Sequence, residues 1–241
     1  MMYIVMAMRF QFLVGESMKY SIQILTPLHI GTGNRINPVE YVIDDRFYRV
    51  DMENLFRDDS FDSEKFISNA KGGQLYLGEF GADAGKKHAR YTISFSDIHT
   101  KQNLKKSIGS PNAEVFEFIK SRDMPYIPGS SIKGAIRTAI LWYVLKEDLK
   151  LLQKVVEIIE KQDRVKPKEA DDKIDKLVFG KNPNYDLLRT LQVSDTNCTG
   201  KDNLWLSEVR TLTTTYEKHK WKQFTVFVEC LKIGAIIEGR L

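Results

Sequence analysis

Pro125-Tyr-Ile-Pro-Gly-Ser-Ser-Ile-Lys-Gly-Ala-Ile-Arg137 is the stretch that decides how the chain reads. Pro125 and Pro128 do not fit inside a helix, and Pro128 holds the residue before it extended. Gly129-Ser130-Ser131 then predicts a flexible corner with a serine N-cap. From Ile132 onward, Ala135, Ile136, Ala139, Ile140, Tyr143 and Val144 recur every three or four residues. That is the stripe of an amphipathic helix reaching about Lys146. Lys133 and Arg137 lie one turn apart on its other side. Cations in the first turns oppose the helix dipole unless an anion binds there. A phosphate at this corner would meet free backbone N–H groups, two hydroxyls and two positive charges, a nucleic-acid backbone contact in outline. An ordinary helix start with solvated basic residues accounts for the same letters. The order departs from Walker A spacing, which excludes a nucleotide-hydrolysing P-loop.

Working outward, Lys19–Leu25 alternates as a strand with Tyr20, Ile22 and Ile24 on one face. It runs into Thr26-Pro-Leu-His-Ile-Gly-Thr-Gly33, where proline and paired glycines predict a tight turn. Tyr41–Ile43 and Phe47–Val50 flank Asp44-Asp-Arg46 as a hairpin, and Asp51 caps a short helix through Phe56. A helix is expected at Glu64–Ala70 and strands at Tyr91–Phe95 and Val115–Ile119. Gly81-Ala-Asp-Ala-Gly85, followed by Lys86, Lys87, His88 and Arg90, reads as an exposed basic loop. Leu149, Leu152, Val155, Val156 and Ile159 predict a second amphipathic helix. Gln162–Lys173, charged and containing Pro167, reads as a solvated surface connection. Strands are expected at Leu191–Asp195, Trp205–Val209, Phe224–Glu229 and Ile233–Glu238. Strands outnumber helices without regular alternation, which favours an α+β fold with antiparallel pairing. No solenoid-like repeat is visible.

The 241 residues can bury a sizeable core, and a net charge of +4 permits a polyanionic partner without demanding one. Two cysteines, Cys198 and Cys230, with no C-x-x-C, argue against a zinc site or disulfide framework and fit a reducing, cytoplasmic setting. Met1–Met8 is apolar but too short for a bilayer and lacks a basic leader. It reads as a strand, a disordered start, or residues ahead of the usual start. No run approaches membrane length, so no membrane partner is expected.

His29-Ile-Gly-Thr-Gly33 has the backbone freedom to approach a phosphate, but a lone G-x-G is no dinucleotide fingerprint. His29 reads either as a general base or as a residue ordering the turn. Asp44, Asp45, Asp51 and Glu53 are explained by the hairpin and the cap, and no metal-ligand spacing occurs. Asp195, followed by Asn197 and Cys198, reads as a turn residue, with a site as the alternative. Near the end, Arg210, Tyr216, Lys218, His219, Lys220, Trp221 and Lys222 interleave aromatics with cations. That suits single-stranded nucleic acid, where bases stack and phosphates pair; a polar hairpin tip is the plainer alternative.

Three blocks together carry a resemblance: His29–Gly33, Pro38-Val-Glu-Tyr-Val-Ile-Asp44, and Tyr126–Arg137, with Leu188-Arg-Thr-Leu-Gln-Val-Ser-Asp195 in support. In these the chain, from about Met18 to Leu241, resembles the RAMP superfamily of CRISPR proteins, within it the fifth-subunit family of type III-A (Csm) interference complexes. The resemblance implies a ferredoxin-like, RRM-related fold with antiparallel sheets. It divides the chain into an extension over 1–17, a RAMP domain with a helical insertion over 18–195, and the start of a second ferredoxin-like half over 196–241. That second half is expected to be incomplete, because family members usually run on through a late glycine-rich loop. It implies a non-catalytic guide-RNA-binding subunit that caps the end holding the 3′ part of the guide and supports its maturation. Other RAMP subunits, especially the backbone subunit, and target RNA would be its partners, with no cofactor and no metal. Carried over by position, Gly129, Ser130, Ser131, Lys133 and Arg137 would lie along the RNA backbone. His29, Gly31 and Gly33 would form a neighbouring turn close to RNA or to the adjoining subunit. The RNA-cleaving backbone subunit carries an aspartate in an early loop, whereas Asn34-Arg-Ile-Asn-Pro-Val39 offers no carboxylate. The rival expectation is a metal-independent RAMP endoribonuclease that processes guide RNA through His29 or His88.

Overall fold

A computed structural model describes residues 6–11, 18–70, 75–160, 167–215 and 218–240. In chain order the elements are β1 (Met6–Gln11), β2 (Lys19–Ile24), β3 (Gly31–Ile36), β4 (Tyr41–Ile43), β5 (Phe47–Val50), α1 (Met52–Phe56) and α2 (Ser63–Ala70). There follow α3 (Gly78–Lys87), β6 (Ala89–Phe95), α4 (Ile98–Ser107), β7 (Val115–Phe118), β8 (Lys120–Ser121) and β9 (Met124–Pro125). The last are α5 (Gly129–Glu147), α6 (Leu149–Glu160), α7 (Pro167–Phe179), β10 (Leu204–Thr215), β11 (Lys218–Leu231) and β12 (Ile236–Arg240). Seven strands form a sheet in the order β3-β7-β11-β10-β6-β5-β4, while β1-β2-β12 and β8-β9 form two smaller ones. The chain divides into two compact units. Unit 1 comprises 1–9, 21–126 and 197–237, with the seven-stranded sheet and α1–α4; unit 2 comprises 10–20, 127–196 and 238–241, with α5–α7.

The local rules hold where they are strongest. Tyr20, Ile22 and Ile24 alternate into the interior along β2. The β4–β5 hairpin pairs Tyr41 with Arg49 and Ile43 with Phe47. Asp51 caps α1 by accepting from the Asn54 N–H. Val42, Val50, Leu55, Phe61, Phe66 and Leu77 gather into one apolar cluster beneath α1–α3. The fold is mixed α/β, and its main sheet is not wholly antiparallel: β6 runs parallel to β10, and β7 to β11.

Five local expectations change. The Thr26–Gly33 turn opens into β3, whose pairing jumps from Gly31↔Phe118 to Arg35↔Phe116, so Thr32-Gly33-Asn34 bulges from the ladder. Gly81–Gly85 is not a loop but lies in α3, kinked at Gly81. Its basic neighbours are spoken for. Lys86 meets Asp44 at 2.5 Å, Lys87 meets Asp58 at 2.7 Å and Arg90 meets Asp123 at 2.8 Å. Those carboxylates arrive by tertiary packing, which local composition does not reveal. α5 starts at Gly129 behind Pro128, so Ser131 lies inside the helix and caps nothing. Pro167 opens α7, a position that tolerates proline, so 167–173 is helical while 161–166 lies outside the described residues. Leu191–Asp195 forms no strand. Of the three readings of Met1–Met8, a strand is found over its last residues, Met6–Met8, in β1.

One buried ion sets the register of the main sheet. Glu229 on β11 is fully buried; Tyr91 Oη donates to its Oε1 at 2.6 Å, and the Phe118 N–H donates to its Oε2 at 3.0 Å. Lys120 Nζ completes the set on Oε2 and lies 4.8 Å from the Tyr91 ring centroid. Burial, then the Glu229 charge, raise the Tyr91 pKa, so the hydroxyl stays a donor. Removing one partner of such a set strands a buried charge, so Glu229→Ala should lower unfolding free energy by about 3–5 kcal/mol. A urea midpoint equal to wild type would contradict this.

Candidate nucleic-acid interface

In unit 2 the start of α5 is closed by the chain itself. The N–H groups of Ser131 and Ile132 donate to the Pro128 carbonyl at 3.0 and 3.2 Å. The Gly129 N–H donates to Asp195 Oδ1 at 2.8 Å. A Cβ at Gly129 would lie 2.1 Å from the Val193 carbonyl oxygen, so only glycine lets residues 193–195 approach this closely. Thr196 adds its own clamp, its N–H donating to the Ile127 carbonyl and its Oγ1 accepting from the Ile127 N–H. A carboxylate thus already meets the positive end of the helix dipole. Asp195, read from the sequence as a turn residue or a site, is the residue that closes this helix start, 66 positions from the N–H it accepts.

Ser130 and Ser131 remain exposed. Lys133 Nζ donates to the Leu191 carbonyl at 2.9 Å and forms no ion pair among the described residues, although its charge acts on the Asp186 carboxylate. Arg137 is different. Its guanidinium donates to Asp175 and Asp186, each at 2.8 Å, and sits 3.9 Å from the Phe179 ring centroid. The Asp175 hydrogen bond raises the Arg137 pKa, and Arg137 in turn holds the Asp186 carboxyl below its ordinary range. The pair read as two cations open to an anion is one open lysine and one arginine tying α5 to α7 and to the turn at Asp186.

In unit 1, His29 Nδ1 donates to the Glu229 carbonyl at 2.7 Å, which makes Nε2 the acceptor in the neutral ring. Its ring meets Phe118 edge-on at 6.2 Å. Gly31 pairs with Phe118, and Gly33 at the bulge has φ +88°, a conformation that favours glycine. His88 Nε2 lies 2.6 Å from Asp58 Oδ2. Arg35, near the end of β3, pairs with Glu114 at 2.6 Å. Among the described residues no group of His, Cys, Asp and Glu is placed to hold a metal.

The cation-aromatic segment is the outer half of a long hairpin. β6 joins β10 at Trp205 and Leu206, and β7 joins β11 at Phe227 and Val228. Beyond them β10 and β11 continue as a two-stranded ribbon to Thr215↔Lys218, with a register shift between Arg210 and Leu212. Trp221 and Phe224 are 58% and 42% exposed, which leaves their faces open to a partner. Arg210 lies 5.8 Å from the Trp221 ring centroid and Lys222 5.3 Å from that of Phe224. In sequence, the segment 210–226 contains Arg210, Lys218, Lys220 and Lys222 against one carboxylate, Glu217. Tyr216 lies outside the described residues. His29, Gly31, Gly33 and the ribbon belong to unit 1; Gly129, Ser130, Ser131, Lys133 and Arg137 belong to unit 2.

Residues 21–238 match the RAMP superfamily model, and the chain belongs to that superfamily. It is 26% identical to the CRISPR system protein Csm5 of Methanocaldococcus jannaschii over 184 residues, covering 75% of this chain and 43% of the relative. With Csm5 of Streptococcus thermophilus the identity is 32% over 139 residues, covering 52% and 38%. The chain therefore spans about two fifths of the length of these curated relatives. A crystal structure of T. onnurineus Csm5 matches with a TM-score of 0.69 at 27% identity, covering 91% of this chain and 66% of that one. A chain of a cryo-EM Csm–crRNA–target RNA ternary complex matches with a TM-score of 0.68 at 26% identity, covering 91% and 62%.

The Arg137 tie predicts a pH signature. Asp186 has a lowered pKa in the fold, so its contribution is complete above about pH 4 and fades as pH falls through the lower folded value. The stability gap between wild type and Asp186→Asn, read from urea midpoints, should be full at neutral pH and narrow below about pH 4. A gap that widens on acidification would contradict the assignment.

Proposed function

We propose that this RAMP chain is a non-catalytic RNA-binding subunit of the Csm5 kind in a type III-A CRISPR ribonucleoprotein. It would cap the end that holds the 3′ part of the guide and support guide maturation, beside RAMP backbone subunits and target RNA, in the cytoplasm. One observation carries this reading: 91% of the chain follows a chain solved within a Csm–crRNA–target RNA complex. The ferredoxin-like, RRM-related fold is part of the proposal, supported by α3 and α4 packing on the main sheet.

Physical features support contact with a polyanion. The ribbon combines exposed aromatic faces with cations, the combination that stacks bases and pairs phosphates of a single strand. Ser130, Ser131 and Lys133 add donors at the α5 start, where Gly129 permits the close fit and Arg137 braces the helix. His29, Gly31 and Gly33 hold the bulge beside the root of β11, as a turn toward RNA or an adjoining subunit. A guide's spacer varies while its backbone does not, which favours phosphate contacts over base readout. α5 also exposes Ala135, Ala139, Trp142 and Tyr143, an apolar face suited to a neighbouring subunit.

Incubation with labelled repeat-spacer RNA, with and without chelator, should give a retarded but intact RNA. Cleavage abolished by His29→Ala would favour the endoribonuclease instead. Lys133→Ala should weaken binding alike for unrelated sequences, and Trp221→Ala should cost about 1–3 kcal/mol of binding. Sequence-dependent loss would contradict a backbone reader.

A further inference from the structure

Unit 2 holds a cavity of about 330 Å³ beside Arg137, lined by Lys133 from α5, by Lys176 from α7, and by Lys181 and Arg189 from the chain that follows. We propose that it is a phosphate site, in which these four cations hold one phosphodiester of a bound RNA strand. The proposal rests on the RNA-binding reading and names the group recognised beside the α5 start.

Charge balance carries the argument. Three carboxylates also line the cavity, but Asp175 and Asp186 are both engaged by Arg137. Arg137 is therefore spent, but it offsets only one of the two negative charges it holds, so the lining, five cations against three carboxylates, keeps a net charge of +2. Lys133 Nζ and Arg189 Nη1 meet carbonyl oxygens, of Leu191 and Asn184, at 2.9 and 3.1 Å. A carbonyl takes a hydrogen bond and leaves the charge uncompensated. Lys176 and Lys181 form no ion pair among the described residues. Cations gathered around one cavity repel each other, and a bound anion relieves that repulsion. Lys176 also offsets the C-terminal dipole of α7. That accounts for Lys176 alone, since Lys133 and Arg189 stand on other elements. Asn182, which also lines the cavity, accepts from the Asn184 N–H through its side-chain oxygen, and its amide NH₂ is a donor by chemistry. The volume is about ten water volumes, room for a phosphate with its sugar rather than for a bare ion alone.

The test compares the full chain with the triple variant Lys176→Gln, Lys181→Gln, Arg189→Gln, which keeps Lys133 and the Arg137 tie. One readout is the affinity of a fluorescent single-stranded RNA from about 50 to about 200 mM KCl. The other is the thermal midpoint in millimolar inorganic phosphate against KCl of equal ionic strength. The variant should lose roughly tenfold in affinity, show a log–log salt slope shallower by about 0.7, and lack the phosphate-specific stabilisation of wild type. An effect on RNA alone assigns the site to the RNA backbone; an effect on the phosphate shift alone keeps an anion site and removes the RNA-binding reading from it. A variant that matches wild type in both readouts overturns the site. Lys181→Glu alone serves the same comparison if the triple variant fails to fold.

Discussion

The carboxylate of Glu229 is the constraint on which unit 1 depends. It is sealed between Tyr91 on β6, the Phe118 N–H on β7 and Lys120 on β8. Burying an ion costs several kcal/mol unless every partner arrives in the right place. A slip of β11 by one residue would turn Glu229 to the other face and strand all three partners. The ion thus acts as a register pin, and His29 reads the same residue through its backbone carbonyl. With the root of the β10–β11 hairpin fixed, its outer half extends beyond β6 and β7 with its aromatic and basic side chains exposed.

Much of this was legible where a local rule had no competitor. The β2 alternation, the β4–β5 hairpin and the Asp51 cap needed only near neighbours in sequence. The misread basic residues and helix cap share one cause. A basic run after Gly85 looks solvated until Asp44 and Asp58 arrive from other elements. The serines after Pro128 look like a cap until Asp195, 66 residues away, takes the Gly129 N–H. Glu229 reads as one polar letter in an apolar strand, because its hydroxyl partner lies 138 residues away. Arg137 looked open for the same reason, its carboxylates being 38 and 49 residues distant.

These tertiary pairs sharpen the reading of function rather than remove it. Cations that the chain neutralises itself, such as Lys86, Lys87 and Arg137, hold the fold. Cations that meet carbonyls, aromatic faces or no partner remain available to an outside anion. The second class collects on the β10–β11 ribbon in unit 1 and around the α5 start and its cavity in unit 2. No helix among the described residues is long and apolar enough to cross a membrane. The exposed apolar residues of α5 form a face separate in character from both charged regions.

The most direct test of the account is photocrosslinking of the chain to a guide carrying photoreactive uridines, within its reconstituted complex, with crosslinked peptides identified by mass spectrometry. Bases stacked on the ribbon should place crosslinks in the segment from Leu212 to Phe224, centred on Trp221. Crosslinks confined to other parts of the chain, with that segment clean, would contradict the claim that the ribbon receives a single strand.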